Sequence, residues 1–169
     1  LPVTHGVPKD IVGAVCADRH GGVWCLPRWS VVRFQDGRFT KHLDAKGVPS
    51  DIMLTLHRDR ADVLWVGGGS GQLYRLDQQT GKFETAAGAN LPSAAVVGIQ
   101  DDANGGLWLL CVNPTRTAGI IYHFHNGNLE PASNAISLDP RSLFLVHGAA
   151  GDLWLATGQG AVVRFREGR

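Results

Sequence analysis

The residues best suited to binding a ligand are Arg28 and Trp29, because they interrupt a sequence that otherwise repeats. Of the five tryptophans, only Trp29 lies outside the repeat register, and two other copies have Ser70 and Gln159 at its position. An indole beside a guanidinium can stack on a sugar ring and hydrogen-bond to its hydroxyl groups. The same indole could instead cover the edge of a sheet, so both interpretations stay open.

A second candidate is the insertion at residues 113–117, which lies in the corresponding loop of the third copy. It carries Asn113 and Arg116. Loops in this position share one face of the molecule with the links between successive copies. We therefore predict a ligand-binding mouth at the axis of the repeat array. It would be lined by these loops and by residues of the links, namely Lys9, Asp10, Asp51 and Arg141.

The sequence carries no known catalytic signature. The sequence has no Gly-x-Ser-x-Gly elbow, no His-Glu-x-x-His motif and no phosphate loop followed by Lys-Ser or Lys-Thr. The glycine run at 67–71 lies between two predicted strands, so we predict a hairpin loop rather than a phosphate cradle, which needs a helix behind it. His123 and His125 alternate along one predicted strand, but no carboxylate or cysteine stands at ligand spacing from them. We predict no enzymatic activity, no metal and no cofactor.

The candidate residues lie on a repeated sequence motif. Its four copies are centred on tryptophans, at Trp24, Trp65, Trp108 and Trp154. Their spacing of 41 to 46 residues is typical of β-propeller blades, each of which is a sheet of four antiparallel strands. We therefore predict an all-β fold, with a single β-propeller region of about four blades. The predicted blades are at about 7–47, 48–90, 91–135 and 136–169.

Every copy shows the same predicted order of elements. A proline-containing link is followed by a first strand, a tight turn, the tryptophan strand, a third strand, and a glycine hairpin that leads to a polar outer strand, although the fourth copy stops at 167–169, where its outer strand should start. The predicted first strands are 11–17, 52–58, 95–101 and 142–147, and the predicted third strands are 30–34, 72–76, 120–124 and 161–165. One register position of the third strand is basic in every copy: Arg33, Arg75, His123 and Arg164.

An aspartate stands six residues before the tryptophan in three copies, as Asp18, Asp59 and Asp102, whereas the fourth copy has Gly148. A carboxylate there can accept hydrogen bonds from the N–H groups of the turn. A catalytic carboxylate has no reason to recur once per blade. We therefore assign these aspartates a structural role, and we expect the tryptophans to fill the space between neighbouring sheets.

The two ends of the chain are complementary, because residues 1–5 resemble an outer strand that could complete the fourth blade. Three arrangements stay open. The chain could form a closed four-bladed ring clasped by this strand, it could be a piece of a longer propeller, or two chains could pair as four plus four blades.

The cysteines give a prediction about the first blade. Counting back from its tight turn places Cys16 opposite Cys25 on neighbouring strands, which would allow a disulfide in an oxidising compartment. Alternatively both are small buried apolar residues, and Cys111 leaves the count of three cysteines odd.

Composition excludes several classes of protein. With 44% hydrophobic and 18% charged residues and a net charge of +1, the chain is expected to be a soluble folded domain rather than a disordered one. Acidic and basic residues are interspersed, so we expect neither a nucleic-acid partner nor a membrane-surface patch. No apolar run is long enough for a transmembrane helix, so no membrane insertion of this segment is expected.

The second copy combines the turn aspartate Asp59, the Trp65 strand and the run Leu-Tyr-Arg-Leu-Asp at 73–77. This pattern resembles the two-component regulator propeller repeat, and the resemblance covers essentially the whole chain. It implies a non-catalytic periplasmic sensor module of a hybrid histidine kinase or a related signalling protein, in a family whose propellers are often paired and commonly detect carbohydrates.

The candidate loops and the resemblance together favour a module that binds a saccharide or another small polar ligand. Two alternatives remain. One is a protein-interaction scaffold, and the other is a propeller-type lyase, which would need a histidine or a carboxylate with metal or base chemistry at the mouth.

Overall fold

A computed structural model of the chain describes residues 12–27, 30–43, 51–91, 94–132, 136–137, 143–147, 152–157 and 162–165. These residues form β-strands joined by turns and short connections. Within these ranges there is no helix of the length and apolarity that a membrane crossing requires. The all-β class predicted from the repeat is confirmed.

The strands form four antiparallel sheets that follow one another along the chain. The first sheet contains β1 (Val12–Ala17), β2 (Val23–Pro27), β3 (Val31–Gln35) and β4 (Arg38–Leu43). The second contains β5 (Met53–Arg58), β6 (Leu64–Gly68), β7 (Gln72–Leu76) and β8 (Phe83–Asn90). The third contains β9 (Ala95–Asp101), β10 (Leu107–Val112), β11 (Ala118–His125), β12 (Asn128–Pro131) and the short β13 (Ile136–Ser137), which pairs with β11. The fourth contains β14 (Leu143–His147), β15 (Leu153–Thr157) and β16 (Val162–Phe165).

The predicted strand order within each copy is confirmed, and the first and third strands end within two residues of their predicted positions. The basic residue that the copies share in the third strand lies directly opposite the tryptophan in every sheet. The pairs are Trp24 with Arg33, Trp65 with Arg75, Trp108 with His123 and Trp154 with Arg164. The prolines of the four predicted links lie outside the described residues.

Successive sheets pack face to face through three hydrophobic clusters, each shared by two neighbouring sheets. Trp24, Trp65 and Trp108 fill these spaces as predicted. The Trp65 ring meets Phe124 of the third sheet with 6.1 Å between centroids, and Trp108 meets Phe165 of the fourth with 5.8 Å. Both contacts are edge-on, an orientation that the ring quadrupoles favour. Trp24, 6% exposed, belongs to the cluster between the first two sheets.

The four sheets form an open arc in the described part of the chain. The innermost strands contact one another in the order β1, β5, β9 and β14, and no comparable contact joins β14 to β1. Val15 of β1 is 63% exposed, although Leu56 and Ile99 at the same position of the next two sheets are 8% and 3% exposed. At the other end of the arc, Trp154 is 38% exposed. The predicted clasp at residues 1–5 lies outside the described residues.

The predicted pairing of Cys16 with Cys25 is wrong by one residue. Cys16 lies opposite Trp24, and Val15 lies opposite Cys25. The reason is the turn, which closes with a 2.9 Å hydrogen bond from the Asp18 backbone N–H to the Gly22 carbonyl oxygen and is therefore one residue shorter than expected. A shift of one residue places two side chains on opposite faces of a sheet, and both cysteines are free thiols. Burial, opposed in part by Arg58, raises the pKa of Cys16 to about 11.

Candidate functional site

The structure describes four of the predicted site residues, Asp51, Ser70, Asn113 and Arg116. The other six lie outside the described residues: Lys9, Asp10, Arg28, Trp29, Arg141 and Gln159. The roles of all ten in ligand binding stay predictions.

Asp51 and Ser70 are brought together although they are distant in sequence. The Asp51 carboxylate accepts hydrogen bonds from the Ser70 backbone N–H at 2.8 Å, the Ser70 hydroxyl at 2.6 Å and the Tyr74 hydroxyl at 3.2 Å. Asp51 is 8% exposed and Tyr74 is 3% exposed. Burial and the neighbouring Asp51 carboxylate raise the pKa of Tyr74 to about 12. Asp51 therefore braces the loop between β6 and β7, and Ser70 is the more exposed member of the cluster.

The glycine run at 67–71 ends strand β6 and forms this loop at 69–71, which confirms the predicted hairpin. The loop is held closely, because the Gly69 N–H donates to the Ile52 carbonyl oxygen at 2.7 Å. A side chain on Gly68 would overlap the Asp51 carboxylate, and Gly71 has φ +87°. Glycine is required here for close approach and for positive φ. The loop therefore presents Ser70 on a fixed backbone.

The loop at 113–117 connects β10 to β11 and thus lies at the same end of its sheet as the Ser70 loop does in the second sheet. Asn113 stabilises the loop, since its Oδ1 accepts from the N–H groups of Thr117 at 2.9 Å and Ala118 at 3.2 Å. Arg116 is exposed and adopts φ +56°. Asn113 thus builds the loop, and Arg116 is the side chain that the loop presents.

At the opposite end of the sheets, the turn aspartates accept hydrogen bonds from the backbone, as predicted for a structural role. Asp18 accepts from the His20 N–H at 2.9 Å and is also bonded by the guanidinium of Arg33. Burial by itself raises the pKa of Asp18, but these hydrogen bonds outweigh it and hold the pKa below its ordinary value. Asp152 is bonded by Arg164 in the same manner. In the fourth sheet the aspartate therefore lies at the end of the turn, directly before the tryptophan strand, and not at its start.

In the second sheet the side-chain donor to the turn aspartate is an indole and not a guanidinium. Asp59 accepts from the Val63 N–H at 2.7 Å and from the indole Nε1 of Trp65 at 2.8 Å. Arg75, opposite Trp65, is exposed and lines a cavity of about 280 Å³ between the second and third sheets. This cavity is also lined by Asp59 and His125.

In the third sheet the basic partner is a histidine, His123, and the ring of His125 lies close to it. A carboxylate does accompany them, since Asp102 Oδ2 lies 2.5 Å from His123 Nε2 and one ligand atom from each residue lies within 4.8 Å of the others. The carboxylate comes from 21 residues earlier in the chain, so local spacing did not reveal it. Burial favours a raised pKa for Asp102, but hydrogen bonds from His123 and from the Gly106 N–H lower it.

No family model matches the chain, and no curated protein is similar to it in sequence. Solved structures are similar in fold. The extracellular domain of BT4673 from Bacteroides thetaiotaomicron, named as a hybrid two-component system, has a TM-score of 0.71 with 16% identity over 95% of this chain and 22% of that one. The corresponding domain of BT3049 from the same organism has a TM-score of 0.61 with 15% identity over 98% of this chain and 30% of that one.

A protein named as a gluconolactonase has a TM-score of 0.69 with 13% identity over 96% of this chain and 62% of that one. The chain thus spans less than a third of the two extracellular domains and less than two thirds of this third protein. At these identities the similarity shows the β-propeller fold. Two of the three structures come from two-component systems, the class of protein whose repeat the sequence resembles.

Proposed function

We propose that this chain is part of a non-catalytic β-propeller sensor module of a bacterial signalling protein and that it acts outside the cytoplasm. The observation that carries the proposal is the similarity in fold, over nearly the whole chain, to extracellular domains of two-component systems. The repeat in the sequence independently resembles the propeller repeat of the same class of protein. Fold alone does not determine function, so the ligand must be argued from the loops.

The ligand we propose is a saccharide or a similarly small polar molecule, bound at the end of the sheets where β6 joins β7 and β10 joins β11. Ser70 offers a hydroxyl on a braced loop, and Arg116 offers an exposed guanidinium. Arg28 and Trp29 occupy the corresponding loop of the first copy in the sequence. Hydroxyl and guanidinium groups beside an indole suit recognition of a ring that carries hydroxyls.

The test is isothermal titration of the chain with a panel of mono- and oligosaccharides, together with indole fluorescence. We expect one sugar class to bind and to change the fluorescence, and we expect Trp29→Ala and Arg116→Ala to weaken binding. Arg60→Ala is the matched control, because Arg60 is an equally exposed arginine in the turn at the opposite end of the second sheet. If the folded chain binds no sugar but captures a protein partner, the scaffold alternative replaces this proposal.

We also propose that a second copy of the chain completes the ring. Two inner contacts place the tryptophan of one sheet edge-on against the third-strand phenylalanine of the next, Trp65 with Phe124 and Trp108 with Phe165. At one end of the arc Trp154 is 38% exposed. At the other end Phe34, at the same third-strand position as Phe124 and Phe165, is half-buried beside the 63% exposed Val15, so Phe34 could receive the tryptophan of a second copy. A head-to-tail contact that closes after two copies gives an eight-bladed ring, which is within the known range of propellers.

Light scattering behind size exclusion tests this assembly. We expect a mass of twice the 18.1 kDa of one chain. Val15→Glu should give the monomer, whereas Thr85→Glu, a charge placed on an exposed position of an outer strand, should leave the mass unchanged. A monomeric and well-folded wild type would overturn the pairing and would leave further blades of a longer chain as the covering partner.

A further inference from the structure

The side chains of Asp102, His123 and His125 converge between the turn that follows β9 and the end of β11. His123 and His125 are two residues apart on one strand and therefore project from the same face of the third sheet. Their ring centroids are 5.9 Å apart, and a ligand atom from each of the three residues lies within 4.8 Å of the others. Two imidazole nitrogens and one carboxylate oxygen are ligands that zinc accepts.

The carboxylate is held in the orientation that such a site needs. Asp102 is 4% exposed, and its Oδ1 accepts hydrogen bonds from the Asn104 N–H at 2.6 Å and the Gly106 N–H at 2.8 Å. Oδ2 therefore points towards His123. Supporting bonds of this kind fix ligand orientation in metal sites. A Cβ on Gly106 would lie 2.9 Å from Oδ2 and 3.1 Å from His123 Nε2, so the glycine keeps the space beside both ligand atoms open.

This cluster differs from the contact that the turn aspartate makes in the other sheets. In the first and fourth sheets the aspartate meets an arginine, whose guanidinium has only hydrogen-bond donors and offers no lone pair to a metal ion. Only the third copy has a histidine at that position and a second histidine two residues later. At this position the first and fourth sheets have an arginine, which can only form an ion pair. The third sheet has a histidine, which can also coordinate a metal ion.

An ion at this position would also be accessible. His125 and Gly106 line the cavity of about 280 Å³ between the second and third sheets, so water or another small ligand could complete the coordination. Two ligand atoms at about 2.0–2.1 Å from a tetrahedral zinc lie roughly 3.3 Å apart. Asp102 and His123 would therefore separate from 2.5 Å by rather less than one ångström as the ion replaces the proton between them.

We propose that Asp102, His123 and His125 bind one divalent transition-metal ion of the zinc class. The site is distinct from the loops proposed for the saccharide, which lie at the other end of the sheets. The two proposals can therefore succeed or fail separately.

The experiment uses the whole chain after treatment with a chelator, titrated with Zn²⁺ by calorimetry and with Co²⁺ by visible absorption. We expect one equivalent to bind and Co²⁺ to show the absorption of a nitrogen- and oxygen-liganded site. His125→Ala should weaken Zn²⁺ binding by roughly tenfold or more, since even the loss of a supporting contact has effects of about that size.

Two further variants make the result decisive. His123→Arg gives the third sheet the aspartate–arginine pair of the first and fourth sheets, so it should fold and yet lose the ion. His57→Gln is the matched control, because His57 lies 3.3 Å from Asp101 but belongs to no three-ligand group within the described ranges. The proposal is overturned if the wild type binds no Zn²⁺, if both ligand variants bind like the wild type, or if the control weakens binding equally.

Discussion

Replacing Asp51 with alanine tests whether this residue braces the Ser70 loop or serves mainly as an exposed ligand group. The carboxylate is 8% exposed and accepts three hydrogen bonds, two of them from Ser70 and one from Tyr74. A hydrogen bond to a charged group contributes about 1.5–3 kcal/mol, but Ser70 is exposed and regains water when its partner is removed. Tyr74 is 3% exposed and its hydroxyl would lose this partner at a cost of about 1–3 kcal/mol.

From these contributions we expect Asp51→Ala to lower the free energy of unfolding by about 2–4 kcal/mol. Tyr74→Phe and Ser70→Ala each remove one donor and leave the others, so each should cost about 1 kcal/mol. The double variant Asp51→Ala with Tyr74→Phe should lose less than the sum of the two, because both changes break the same bond.

The assay is urea unfolding followed by tryptophan fluorescence, with the midpoint and the slope fitted separately for each variant. A lower urea midpoint at an unchanged slope shows that the variant is less stable because the hydrogen bonds of Asp51 are lost. A loss below about 1 kcal/mol for Asp51→Ala, or one no larger than that of Ser70→Ala, would refute the reasoning. It would mean that the carboxylate contributes little to the fold and is available to a ligand.

Three further predictions concern the backbone, the turn carboxylates and the thiols. Gly81→Ala should cost about 1–2 kcal/mol, because Gly81 has φ +67° but open space around it. Gly71→Ala should cost clearly more in the same urea assay, since its Cβ would also collide with backbone carbonyl oxygens, and equal losses would contradict this. The pKa of Asp18 is lower in the folded state, so its stabilising effect is present above the unfolded pKa of about 3.9 and is lost as the pH falls through the folded value. Asp18→Asn should therefore flatten the acid limb of a stability–pH curve, and a parallel curve would count against it. Cys16 should react slowly with a thiol reagent at pH 8 in the folded protein and fully in urea, and a disulfide to Cys25 found by mass spectrometry would contradict the observed register.

The sequence predicted the strands because they follow from short-range patterns. Alternating apolar positions define a strand of a half-exposed sheet, and the copies align at their tryptophans. The basic residues Arg33, Arg75, His123 and Arg164 could therefore be placed at one position of the third strand. The pairing of Cys16 failed because it depends on the number of residues in a turn. A turn that is one residue shorter moves every side chain of the strand to the other face, and sequence patterns constrain turn length only weakly.

The cluster around Asp102 could have been found by combining two predictions that were made separately. An aspartate before the tryptophan and a basic residue opposite it must lie close together once the strands pair. Metal-ligand motifs, in contrast, are recognised by short spacings along the chain. Such a spacing links His123 with His125 but does not include a carboxylate 21 residues away. Sites assembled across a sheet therefore become visible in the sequence only when the register is applied to all candidate ligands.

Comparison of the four sheets indicates where this fold permits functional change. The interaction between an acid in the turn and a donor near the tryptophan is kept in every sheet, while its residues vary. Asp152 comes from the other end of the turn, and Asp59 bonds the indole of Trp65. Because the indole satisfies Asp59, Arg75 can face the cavity that His125 also lines. Because several kinds of donor can satisfy the turn aspartate, an individual basic side chain can be used for binding instead. The positions at which the copies differ are therefore the ones to test first.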